Sequence, residues 1–98
     1  MNEAIGNNLR ITGDENLLKG NSSTITGNKN ILIGDNHTVT GDNNQLNGTT
    51  NKINGKFNNV GGNYNDINGN VNEVFGDFNG VNGSINKVYG NNNSLNGN

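Results

Sequence analysis

Few residues in this chain are of a type that could do chemistry, and their spacing argues against most of it. His37 is the only histidine and there is no cysteine, so no nucleophile and base can be paired around the one imidazole. A structural role is expected for it. Asp14, Asp35, Asp42 and Asp77 each follow a glycine. Calcium-binding rolls, however, set Asp regularly in a nine-residue repeat, and these carboxylates are irregular, so no metal site is expected. The glycine-rich stretch GNNLRIT and its copies lack the lysine and the following helix of a phosphate loop. Sequons at Asn21, Asn36, Asn47, Asn82 and Asn92 are what an asparagine-rich chain produces by chance. What remains is a set of paired hydroxyls, Thr24/Thr26 and Thr38/Thr40 with Thr12 before them. Their use depends on what holds them in place.

Composition limits the answer. The chain has 98 residues, of which 28% are hydrophobic and 5% aromatic, against roughly 45–50% apolar in ordinary globular chains. One domain, 1–98, is the most it can form, and a layered α/β or helical-bundle core is out of reach. With 28 Asn, 16 Gly and no Pro, composition alone would suggest disorder. A net charge of −2 draws in neither nucleic acid nor an anionic membrane. No apolar run is long enough to span a bilayer. The first residues, MNEAIGNN, lack the basic and apolar segments of a signal peptide, so a cytosolic protein, or one already trimmed, is expected.

Periodicity rescues the chain from disorder. Glycine recurs every seventh residue from Gly6 to Gly97. With that glycine as position one, position six reads Ile11, Leu18, Ile25, Leu32, Val39, Leu46, Ile53, Val60, Ile67, Val74, Val81, Val88 and Leu95, aliphatic throughout. Position four is Asn except at Leu9, Ser23 and His37. A coiled coil needs two apolar seams per heptad and only one is present, while glycine in every second turn costs a helix roughly 1 kcal/mol each time. Strands fit instead. Positions four and six then point to one side and positions three, five and seven to the other, with the glycine and the polar residue after it forming a corner.

A hairpin meander would suit the many Asn-Gly pairs, but a single sheet leaves its aliphatic row nothing to pack against. Between a triangular coil of 21 residues and a flattened one of 14, position seven decides. Alternate heptads read Thr12, Thr26, Thr40, Asn54, Asn68, Asn82, Asn96, and those between read Lys19, Ile33, Asn47, Gly61, Phe75, Tyr89. The expected fold is therefore an all-β, two-sided parallel β-roll of about seven 14-residue coils, with Asn at position four stacked in an amide ladder.

These repeats, with NSSTITG, DNHTVTG and NNNSLNG as examples, resemble the ryegrass-type ice-binding proteins, which inhibit ice recrystallisation and carry x-x-N-x-V-x-G heptads. The likeness runs over essentially the whole chain. It implies a left-handed roll with one flat, Thr-rich sheet as the ice-binding face. On the heptads from Gly6, Gly20 and alternately onward, the candidate ice-contacting residues are Thr12, Thr24, Thr26, Thr38, Thr40, Asn54, Asn68, Asn82 and Asn96. Hydroxyls and methyls spaced about 6.7 Å along a strand and about 4.8 Å between coils can hold ordered water in an ice-like pattern, and β-branched Thr is stiff at χ1. Arg10, Lys52 and Asp66 interrupt this array. The plainer reading is that Thr is a good strand residue on a solvated face.

The other face is expected to expose Leu17, Ile31, Ile33, Phe57, Val71, Phe75, Ile85 and Tyr89, with Phe57, Val71 and Ile85 in one column and Phe75 and Tyr89 in another. Such stripes suit self-association as a homodimer or simply stiffen the roll. Tyr64 and Phe78 are expected at the rim of the first face. Two functions follow: a non-enzymatic ice-binding protein, or a structural, self-associating scaffold module, surface- or virion-associated, without ice activity. Neither needs a cofactor.

Overall fold

Each recurring glycine turns the chain, and the computed structural model, which describes residues 1–98, shows fourteen short strands separated by these corners. They form two parallel sheets of seven. The threonine sheet holds Arg10–Thr12, Thr24–Thr26, Thr38–Thr40, Lys52–Asn54, Asp66–Asn68, Gly80–Asn82 and Ser94–Asn96. The opposite sheet holds Glu3–Ile5, Leu17–Lys19, Ile31–Asp35, Gln45–Thr49, Asn59–Asn63, Glu73–Phe75 and Lys87–Tyr89. Every strand pairs in parallel with the one a full coil later, so Val39 lies between Ile25 and Ile53. The 14-residue β-roll is thus the fold, in a plate measuring 34 × 19 × 13 Å.

Position six supplies the core. Leu18, Ile25, Leu32, Val39, Leu46, Ile53, Val60, Ile67, Val74, Val81 and Val88 are buried, drawn alternately from the two sheets, with Leu9, Ile11 and Leu95 packed at the ends. A plate with one aliphatic row per sheet is thin, so hydrogen bonding carries much of the order. Asn44 shows the unit: its Oδ1 accepts from the backbone N–H of Asn58 at 3.0 Å, and its Nδ2 donates to the Gly55 carbonyl at 2.8 Å. The same bonds recur from Asn2 to Asn72 along this edge of the core. They recur at Asn51, Asn65 and Asn79 along the other, where Leu9, Ser23 and His37 interrupt the amide series. No buried side-chain polar atom lacks a partner.

A second ladder was not foreseen from the sequence. The side chain at position two accepts from the backbone N–H at position two of the preceding coil, as Asn21 does from Asn7 at 2.9 Å and Asp42 from Asn28 at 2.8 Å. The signal was there in the repeated Asn or Asp after glycine. A side-chain oxygen at that place continues the pairing around the corner, where backbone bonding alone would lapse.

Glycine at the corner is required by contact as well as conformation. At Gly48, with φ of +141°, a Cβ would stand 1.8 Å from the carbonyl oxygen of Gly62 in the next coil. Position three corrects an expectation. Its residues do not lie on the sheet faces but at the corners in the left-handed region, with Phe57 at φ 58°, Val71 at 59° and Ile85 at 62°. The backbone there has left the extended conformation, so strand alternation no longer says where the side chain points.

Candidate functional site

The threonine sheet is built of strands three residues long, so each contributes an outward residue at position five, an inward aliphatic and an outward residue at position seven. Pairing aligns these into two lanes along the roll. Thr24 stands between Arg10 and Thr38 and Thr26 between Thr12 and Thr40, with Lys52 beyond Thr38 and Asn54 beyond Thr40. Asn54, Asn68, Asn82 and Asn96 continue the position-seven lane without a break. All nine candidate residues therefore share one sheet; Thr24 is half-buried and the others are exposed.

The position-five lane is less regular. Lys52 and Asp66 are neighbours across the pairing, yet no ion pair joins them, the three ion pairs of the molecule being Lys29–Glu15, Lys56–Asp42 and Lys87–Glu73. At Gly80 the lane lacks a side chain, which opens a shallow depression of about 370 Å³ edged by Asp66, Asn68, Asn82, Ser94 and Asn96. The regular hydroxyl grid occupies the coils of Thr12, Thr24 and Thr38.

The apolar residues expected on the other surface are not brought together as one stripe. Ile31 and Ile33 lie on the opposite sheet, but their lanes pass to Gln45 and Asn47 in the next coil. Phe75 and Tyr89 stack there with ring centroids 5.7 Å apart. The Phe75 ring also lies over Gly61, where even a Cβ would meet it at 2.7 Å. Phe57, Val71 and Ile85 form a separate column at one corner, beside Asn59, Glu73 and Lys87. Tyr64 and Phe78 stack at 4.9 Å, at corners leading into strands of the threonine sheet. All five aromatic rings are thus outside the core.

Few groups titrate abnormally. The hydrogen bond from Lys56 to Asp42 holds that carboxyl below its usual range, helped by the Asn28 N–H. The bond from Tyr89 to Glu73, 3.0 Å long, raises the phenol. Burial pushes the His37 imidazole down, against opposing hydrogen bonds and the Asp35 charge. Its Nε2 lies 3.3 Å from the Ile33 carbonyl and its Nδ1 accepts from the Asn51 N–H at 3.4 Å. No group of His, Asp and Glu side chains is placed to hold a metal ion.

The chain is a β-roll of two parallel sheets, one of which presents lanes of small hydroxyls and amides. The model of the grass antifreeze beta roll family matches residues 2–83, and the chain belongs to that family. It is an ice-binding protein of the β-roll type, and this membership points away from an enzyme. A search of curated proteins finds no significant match.

Proposed function

We propose that the chain meets ice through the threonine sheet and works there as a non-enzymatic inhibitor of ice recrystallisation. The observation that carries this is the register of Thr12, Thr26 and Thr40 in one lane and Thr24 and Thr38 in the other. Position-two side chains, Asn21 and Asp35 on one flank and Asn28 and Asp42 on the other, bond the corners of these coils together, so a methyl and a hydroxyl repeat at strand spacing with little entropy left to lose. The asparagine lane extends the same surface with amides that can join a hydrogen-bonded water layer. A non-enzymatic reading is supported by His37, whose ring is turned inward and engaged with backbone groups.

Recrystallisation assays test this. Replacing Thr24, Thr26, Thr38 and Thr40 together by Lys sets flexible charges where the ordered layer would form. The concentration needed to arrest grain growth should rise at least roughly tenfold, equivalent to about 1.4 kcal/mol, with the circular dichroism spectrum unchanged. Equal potency of the variant and the parent would reject the threonine sheet as the contact surface.

A second reading rests on the exposed columns. Phe57 and Val71 at the corner, and Tyr89 on the opposite sheet, each leave more than half their surface in water. They offer a surface for a second copy that leaves the threonine sheet free. Sedimentation velocity over a range of concentrations tests it; a single monomeric species at the highest concentration would reject it.

A further inference from the structure

We infer that His37 is a positioning residue for the ice-contacting grid, holding the Thr38–Thr40 rung in register only while its imidazole is neutral. The inference rests on the threonine-sheet reading for its functional consequence, but its structural part stands alone.

His37 occupies the one place in its ladder where an imidazole replaces an amide, and it is fully buried. It precedes Thr38 directly, in the last of the three coils that carry the grid. Its backbone carbonyl accepts from the N–H of Thr24 at 2.9 Å, and its own N–H donates to the Ser23 hydroxyl at 3.0 Å. Its Nδ1 accepts from the N–H of Asn51, whose carbonyl in turn accepts from the N–H of Thr38 at 3.0 Å. One residue therefore ties the Thr24 rung, the Thr38 rung and the coil beyond them.

Only one protonation state satisfies these partners. A neutral ring with its proton on Nε2 donates to the Ile33 carbonyl and offers a lone pair to Asn51. A second proton on Nδ1 would face the Asn51 N–H, donor against donor, and leave a cation in the core. An Asn in this position has no such state. Asp35, at the corner of the same coil, is the charged group acting on the ring. The coils on either side present Ser23 and Asn51, both uncharged. Because burial lowers the folded-state value, the unfolded chain binds the proton more readily. Stability is therefore complete above the unfolded value of about 6.5. It declines as pH falls from there toward the folded value.

The test compares the wild-type chain with His37→Asn, which restores the amide that most other coils carry and so keeps the fold. Between pH 7.5 and 5, the wild-type Tm should fall several degrees further than that of His37→Asn. In proton–nitrogen NMR spectra, the Thr38, Thr40 and Asn51 amides should shift with a single midpoint shared with the His37 ring, and potency in recrystallisation assays should decline over the same range. His37→Asn should hold its potency across it. If the Thr38 and Thr40 amides stay fixed while the ring titrates, or the ring does not titrate before the chain unfolds, the positioning role is overturned. If the amides move as expected while potency is unchanged at pH 5, His37 shapes the rung but the ice contact lies elsewhere, and the threonine-sheet reading fails instead.

Discussion

At the scale of the residue, the fold is governed by which side chains the corner accepts. Gly48 can carry no Cβ without striking the neighbouring coil, whereas Gly80, on an outward strand position, has nothing within 4 Å of its would-be Cβ. Gly48→Ala should therefore lower stability by at least roughly 1–3 kcal/mol. Gly80→Ala should raise it by about 0.4–1 kcal/mol through the entropy of the unfolded chain. Thermal melts of the two variants side by side would show the opposite signs, and equal effects would contradict the stacking geometry. Val71 makes a related point. A β-branched residue in the left-handed region is unfavourable, by about 1–2 kcal/mol for the conformation itself. Val71→Asn should accordingly melt higher than the parent, by an amount reduced by lost contact with Phe57 and Ile85. A lower melting point would mean that the corner column contributes more than its backbone strain takes away.

At the scale of the element, strands three residues long are too short to hold themselves, and the ladders at their ends do the rest. Asn44→Ala removes an acceptor from the Asn58 N–H and a donor from the Gly55 carbonyl. Each of the two groups left unpaired costs roughly 1–3 kcal/mol, so denaturant titration should record a loss of roughly 2–6 kcal/mol. Much of this was legible in the sequence. The glycine register, the aliphatic at position six and the Asn at position four each mark one structural role per coil, and alternation at position seven separated the sheets. The corner columns were not legible as such. Alternation places Phe57, Val71 and Ile85 beside Phe75, but it holds only while the backbone stays extended, and position three turns left-handed. The ladder at position two is hidden for a similar reason: a polar residue after glycine reads as a turn former, and its type alone does not say that its side chain also bonds the neighbouring coil.

At the scale of the whole molecule, the roll is quasi-one-dimensional, each coil touching only its neighbours. The heptad fixes the fold and the double heptad fixes the surface, which separates the two experimentally. Deleting 41–54 removes a full coil and should leave a shorter roll with the grid of Thr12, Thr24, Thr26, Thr38 and Thr40 intact. Deleting 27–33 removes half a coil. The core pattern survives, but everything downstream changes sheets, so Thr38 and Thr40 move away from Thr24 and Thr26. Both deletions should keep parallel-sheet circular dichroism, and recrystallisation assays should find the first active and the second at least roughly tenfold weaker, equivalent to about 1.4 kcal/mol.

Ice-affinity partitioning of fluorescently labelled protein tests most directly where the contact lies. The wild-type chain and an Ile31→Lys, Ile33→Lys variant of the opposite sheet should concentrate in a growing ice hemisphere, while the variant with Lys at Thr24, Thr26, Thr38 and Thr40 should stay in the liquid. Uptake of that four-residue variant together with exclusion of the Ile31/Ile33 variant would assign ice binding to the other side of the plate and contradict the account.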